Sequence, residues 1–333
     1  MNRRPRLPRD AYVEGVLRGD RTILSQAITL VESLREEDIE LGQDVLEQCL
    51  PYAGDSIRVG ITGVPGAGKS SLIEVLGTYL TRERGEKVAV LAVDPSSQVS
   101  HGSILGDKTR METLANEEGA FIRPSPSGGS LGGVARRTRE TMKLCEAAGY
   151  RNVLVETVGV GQSETAVRSM VDFFLLLMLA GAGDDLQGIK RGIIEMTDLI
   201  AFNKAEGNNR IKAEAARREY ESALHLFSGA GTGWIPRVTT CSARAREGIA
   251  EIWDAVLEHN AWLTSTGQLA GFRQAQTKSW MHELIEHALR EGFLRHPGVA
   301  GKIASYEQDV MEGRLSPFRA ARRLIQIYRE NIS

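Results

Sequence analysis

The sequence predicts an α/β fold, with a mainly parallel sheet flanked by helices and helical extensions at both ends of the chain. Three observations predict it. Short apolar runs alternate with amphipathic stretches through the middle of the chain. Those runs are nearly continuous rather than alternating, as in strands buried on both faces. Outside them, before about residue 55 and after about Ser265, apolar residues recur only at helical spacing.

The elements follow in order. Residues 10–52 read as helical, with Val13, Val16, Leu17, Ile23, Leu24, Ala27, Ile28 and Val31 at helical intervals and Pro51 ending the region. Strands are predicted at 57–62, 87–93, 120–123, 152–156, 173–179, 197–203 and 236–241. Helices between them are predicted at 69–84, 134–148, 208–227 and 247–263. Glycine-rich segments at 101–106 and 128–133 read as loops. Three helical stretches close the chain at 272–293, 297–312 and 316–331, the last opened by Ser316-Pro317. This gives an N-terminal extension (1–55), an α/β domain (56–264) and a C-terminal helical arm (265–333). In the last helix Phe318, Ala321, Leu324, Ile325 and Tyr328 share one face, which suits pairing with a second copy.

Composition narrows the function classes. The chain has 333 residues, 42% hydrophobic and 25% charged, with a formal net charge of −2. No basic field argues for nucleic acid. Cys49, Cys145 and Cys241 lie far apart and form no ligand spacing, which fits a reducing compartment. The six histidines, among them His282 and His287, are dispersed, unlike the His- or Cys-rich tracts of metal-delivery proteins. No signal-like apolar core follows the arginines of residues 1–9. The apolar stretch from Val171 to Ala180 is too short to span a bilayer. A soluble, cytoplasmic protein is expected.

The segment Gly63-Val64-Pro65-Gly66-Ala67-Gly68-Lys69-Ser70 matches GxxxxGK[ST] between a predicted strand and a predicted helix. Glycines let the backbone curl so that its N–H groups point at phosphate oxygens, and the helix N-terminus adds partial positive charge. Lys69 is expected to bridge the β- and γ-phosphates, Ser70 to ligate Mg²⁺, and Ser71 to adjoin them. The chain thus reads as a P-loop nucleoside triphosphatase. Val64 stands where a neighbouring subclass carries an extra lysine, which argues against that subclass's nucleotide-sandwich dimer.

Acidic residues complete a metal shell. Asp94 and Glu156 end predicted strands beside the phosphate loop, and Asp107 lies in the loop after Asp94. Asp94 and Glu156 are expected around Mg²⁺, with Asp107 there or positioning the attacking water, and the Gly159 N–H is expected near the γ-phosphate. Asn203-Lys204-Ala205-Glu206 is similar to the NKxD signature, whose acid pairs with guanine N1–H and the 2-amino group; here Glu206 replaces the usual Asp. Ser242-Ala243 is similar to the element that offers backbone N–H to the guanine oxygen. No residue is obviously placed for fast hydrolysis, Gln162 being the nearest candidate, so slow intrinsic GTP turnover is expected.

Taken together, GVPGAGKSSLIE, VLAVDPSS, GSILGDKTRM, RPSPSGGSLGGVARRTRE, ETVGVGQSE and NKAEGNN resemble the MeaB/ArgK group of G proteins, bacterial relatives of human MMAA, over roughly residues 10–330. The resemblance implies a SIMIBI-class GTPase that serves as a chaperone of adenosylcobalamin-dependent methylmalonyl-CoA mutase. It implies a homodimer formed through C-terminal helices. It maps switch loops onto 94–110 and 157–165, and a third, partner-signalling loop onto 181–190 with Asp184, Gln187 and Lys190 as its polar contacts. The segment Ser97–His101 departs from the family's Pro/Phe/Thr-containing form. No cobalamin-binding DxHxxG element is present, so the cofactor is expected to belong to the partner. A metal-insertion GTPase or an ATP-dependent kinase or transport ATPase is the alternative.

Overall fold

The computed structural model describes residues 6–93, 111–124, 131–157, 163–181, 191–227 and 233–330. The apolar runs form seven strands: β1 (Ile57–Gly63), β2 (Val88–Val93), β3 (Ala120–Arg123), β4 (Asn152–Thr157), β5 (Phe173–Leu179), β6 (Leu199–Asn203) and β7 (Arg237–Thr240). They lie in one sheet in the order β3-β2-β4-β1-β5-β6-β7, and every neighbouring pair is parallel. The central strand β1 therefore sits between β4 and β5. Its register opposes Ile61 to Glu156 and Gly63 to Leu177, and β5 in turn opposes Leu179 to Asn203. The C-terminal ends of β1, β4 and β6 thereby lie along one edge of the sheet, with β5 between β1 and β6, the edge where ligands bind in sheets of this kind.

Strand residues alternate between two buried cores. Val88 and Val90 join Val59, Ile61, Leu72, Leu76 and Trp253 on one side of the sheet. Ala89, Leu91 and Val93 join Val16, Leu24, Ile28, Val45, Leu46 and Leu144 on the other. The N-terminal helices α1 (Arg9–Leu17), α2 (Arg21–Val31) and α3 (Glu36–Cys49) thus belong to the layer that covers the second face. α2 starts where it does because Asp20 caps it, its carboxylate accepting from Thr22 N (2.8 Å) and Ile23 N (3.0 Å).

The chain divides into two compact units, Met1–Gln274 and Ala275–Ser333. Within the second, helices Pro297–Ala300, Ile303–Met311 and Pro317–Glu330 follow the end of the long helix Gln268–Arg295. The expected helix 297–312 is interrupted at Gly301-Lys302, where the helical pattern gave no warning of a break. The last helix also divides its apolar residues differently from expectation. Leu324 is buried together with Ala320, and the Tyr328 ring lies against Phe293 (5.4 Å between centroids) and His296 (5.2 Å). Phe318 and Ile325 are left exposed. The glycine-rich stretch 128–133 is not wholly loop, because a helix begins at Leu131 and runs to Ala147; glycines are tolerated in a first turn, which has few intrahelical bonds to lose. No helix among the described residues is long and apolar enough to cross a membrane.

Candidate nucleotide site

β1 ends in a curled loop before helix α4 (Lys69–Arg82). Two glycines make the curl possible. Gly63 (φ 154°) passes so close to β5 that a Cβ there would stand 2.2 Å from the Leu177 carbonyl oxygen. Gly68 (φ 90°) is left-handed, and a Cβ there would stand 2.6 Å from Asn203 Nδ2. Pro65 is exposed at the turn, while Val64 and Ala67 are buried beneath it.

Lys69, at the first position of α4, is 9% exposed, and its ammonium donates to the Gly63 carbonyl (2.8 Å) and more weakly to Val64 O (3.4 Å). Burial lowers its pKa, while Glu156 and then Glu164 oppose that shift. Ser70 Oγ donates to Glu156 Oε1 at 2.9 Å. Ser71 is exposed on the outer side of the same turn. The ends of β1 and β4 are further tied by Thr157 Oγ1 donating to Thr62 Oγ1 (2.9 Å). Sequence reasoning missed Glu164. It lies in the first turn of the helix Ser163–Arg168, is 1% exposed, and acts electrostatically on Lys69. The acid in GVGQSE was its only sequence signal.

Asn203, at the end of β6, joins three segments. Its Nδ2 donates to Ala67 O in the phosphate loop (2.8 Å), while its Oδ1 accepts from Ala243 N (3.1 Å) and from the Cys241 thiol (3.7 Å). Lys204 follows in left-handed conformation (φ 60°) with its side chain exposed. Ala205 N donates to Cys241 O, holding the loop after β6 against the end of β7. Glu206 is partly buried, and its Oε2 is enclosed without a hydrogen-bond partner among the described residues. Ser242 exchanges both backbone hydrogen bonds with Glu247, and its Oγ accepts from Ala245 N (2.9 Å). The Ala243 N–H, expected to face the base, is thus engaged by Asn203.

The structure therefore brings together Gly63 to Ser71, Glu156, Asn203, Lys204, Glu206, Ser242 and Ala243 at one edge of the sheet. Asp94, Asp107, Gly159, Gln162, Asp184, Gln187 and Lys190 lie outside the described residues. Ser70 and Glu156 supply adjacent hard oxygen donors, the chemistry that suits Mg²⁺. No cluster of three or more His, Cys, Asp or Glu poised for a metal occurs among the described residues.

Comparison with known proteins agrees with this architecture. Residues 24–297 match the family model described as methylmalonyl-CoA mutase-associated GTPase MeaB. The GTPase ArgK of Escherichia coli is 54% identical over 80% of this chain and 81% of its own. A putative GTPase of Caulobacter vibrioides is 48% identical over 97% of this chain and 99% of its own. The mitochondrial methylmalonic aciduria type A homolog of mouse is 46% identical over 96% of this chain and 79% of its own. A solved structure described as an LAO/AO transport system kinase superposes with a TM-score of 0.78 at 40% identity, covering 98% of this chain and all of that one. A phosphate loop on the central strand, an NKxE loop bonded to it, and these relatives over 80% or more of its length make the chain a P-loop GTPase of the MeaB family.

Proposed function

We propose that the chain is a GTP-dependent chaperone of adenosylcobalamin-dependent methylmalonyl-CoA mutase. It hydrolyses GTP to GDP and phosphate, and so gates cofactor loading and protects the mutase from inactivation. The family description and the mouse relative support the partner. The observation that carries the switch reading is the Asn203 junction, one side chain bonded to both the phosphate loop and the loop after β7. Base and phosphates then act on one connected piece of backbone.

At the phosphate end, triphosphate oxygens replace the Gly63 and Val64 carbonyls as acceptors for Lys69, and the N–H groups of residues 63–71 face the same oxygens. Ser70 and Glu156, with Asp94 and Asp107 near them, would hold a Mg²⁺ ion, which would supply charge neutralisation for the phosphates when bound. The Gly159 N–H and Gln162 complete the γ-phosphate and water contacts. The Ser70–Glu156 hydrogen bond keeps both oxygens at the loop before ligand arrives. At the base end, Glu206 Oε2 is enclosed and has no donor among the described residues, so guanine N1–H and its 2-amino group supply the missing partners. With the Ala243 N–H bonded to Asn203, the backbone N–H of the next residue, Arg244, is assigned to the guanine oxygen.

Asp184, Gln187 and Lys190 carry the signal to the mutase, and the cobalamin stays with the mutase. The arm 265–333 pairs two copies of the chain. Met281, Ile285 and Leu289 support this, standing exposed at four-residue intervals along one helix face. Neither nucleic acid nor membrane is a partner in this reading, and the compartment is the cytoplasm.

Two measurements test it. Lys69→Ala should abolish measurable GTP turnover and weaken GTP binding by at least about tenfold, as loss of a buried charge-assisted contact requires. GTP hydrolysis should be slow alone and rise when methylmalonyl-CoA mutase is added, because the partner orders the switch loops. Equal rates with and without the mutase would remove the gating role.

A further inference from the structure

A second cavity lies at the opposite edge of the sheet from the phosphate loop, under the N-terminal ends of β5 and β6 and within the first unit. Its volume is about 330 Å³, at the small end of the range for organic ligands. Asp172 and Asp198, the residues just before the two strands, line it with Arg168, His259, Leu263 and Phe272.

The charges in its wall are already matched. Arg168 Nη1 donates to Asp198 Oδ2 at 3.0 Å. Arg273 grips Asp172 with two bonds, Nε to Oδ1 (2.9 Å) and Nη2 to Oδ2 (2.6 Å). A charged guest would be buried without a counter-ion of its own, with its desolvation uncompensated. His259 adds no charge near neutral pH. Burial, then Arg168, push its pKa down to about 4, and its ring is caged by Phe173 (5.2 Å), Trp234 (4.7 Å) and Trp262 (6.0 Å).

One oxygen of the wall can still accept a hydrogen bond. Asp198 is 7% exposed, and its Oδ2 takes both of its hydrogen bonds, from Phe174 N (2.8 Å) and Arg168. Among the described residues Oδ1 makes no hydrogen bond, and His259 Nε2 stands 3.7 Å from it, beyond hydrogen-bond length. Oδ1 is not enclosed by the protein, so it is open to accept from a donor that enters the cavity. Around it Leu263 and the Phe272 ring, itself under the Arg168 guanidinium (5.5 Å), are apolar.

We propose that this cavity is a second small-molecule site, which takes a compact, uncharged, mostly apolar molecule with one hydrogen-bond donor, the donor on Asp198 Oδ1 and the body against Leu263 and Phe272. The site is independent of the nucleotide reading, since it uses none of the phosphate-loop or base-loop residues.

The test uses the full chain and three probes of one shape: benzyl alcohol, toluene, which lacks the donor, and benzylammonium, which is charged. Ligand-observed NMR should give saturable binding of benzyl alcohol, with toluene and benzylammonium each weaker by at least about tenfold, as a hydrogen-bonding site discriminates against a guest that lacks its donor. Nuclear Overhauser contacts should connect the bound ring to Phe272. Gly271 also lines the cavity, and a Cβ added there meets nothing within 4 Å, so Gly271→Leu should fill the space without unfolding the helix. That variant should lose benzyl alcohol binding at least about tenfold while its GTP affinity is unchanged. Three results would each overturn the proposal: no saturable binding, toluene equal to benzyl alcohol, or contacts that do not involve Phe272. The first would leave a cavity that holds only water.

Discussion

At the scale of the residue, Glu206 and Asn203 carry the readable difference between nucleotides. A carboxylate whose enclosed oxygen has no donor among the described residues accepts from N1–H and a 2-amino group, both of which guanine offers. Xanthine presents a carbonyl at C2 in place of the amino donor. Glu206→Gln puts an amide N–H beside that carbonyl, so the variant should prefer XTP over GTP, reversing the native order. A competition titration with the two nucleotides checks it, and an unchanged GTP preference would remove Glu206 from the base site. Asn203→Ala removes one bond to Ala67 and one to Ala243 together. Two neutral hydrogen bonds of about 1 kcal/mol each set the scale of the expected loss, a roughly tenfold or greater fall in GTP affinity. These two side chains were legible because they sit in one short motif. Glu164 and the Asp198–His259 pair were not. Glu164 becomes important only through its nearness to Lys69, and positions 198 and 259 meet only once β6 and the helix Ile249–Ser265 are packed.

At the scale of the element, the phosphate loop is held open by absent side chains. Gly68→Ala would force its methyl to within 2.6 Å of Asn203 Nδ2 and would hold an L-residue at φ 90°. The loop and Asn203 must then separate. The variant should fold, since the strain is local, but should bind GTP at least about tenfold more weakly, which calorimetric titration would read. The strands were legible as continuous apolar runs, because a parallel sheet covered on both faces leaves no polar alternation to confuse them. Helix ends were less so. Leu131 begins a helix inside a glycine-rich run, and Gly301-Lys302 interrupts one whose spacing ran on unbroken. The last helix shows a further limit. Its apolar residues were identifiable, but not which would be taken by the unit's own packing, as Leu324 is, and which left exposed, as Phe318 and Ile325 are.

At the scale of the whole molecule, the Asp198–His259 pair shapes how global stability responds to acid. Burial, against the opposing pull of Arg168, raises the Asp198 pKa from the ordinary 3.8 to about 6. Burial, then Arg168, lowers that of His259 from 6.5 to about 4. The signs are opposite. Asp198 binds its proton more tightly in the fold, so its contribution is fully present below pH 3.8 and is lost as pH rises through about 6. His259 is held neutral in the fold, so its contribution is present above pH 6.5 and is lost as pH falls through about 4. Between about pH 6.5 and 4.5 each changes the unfolding free energy by about 2 kcal/mol, one upward and one downward, so in the native chain they nearly cancel. Removing either partner should expose the other. Asp198→Asn keeps an acceptor for Phe174 N and Arg168, and relative to the native chain it should lose about 2 kcal/mol more stability on going from pH 6.5 to 4.5. His259→Phe keeps an aromatic ring in the cage and should gain about as much over the same interval. Urea unfolding at the two pH values, with each variant referenced to the native chain, reads both slopes free of every titration they share. Variants that both moved in the same direction, or that both ran parallel to the native chain, would show that the two groups do not offset each other.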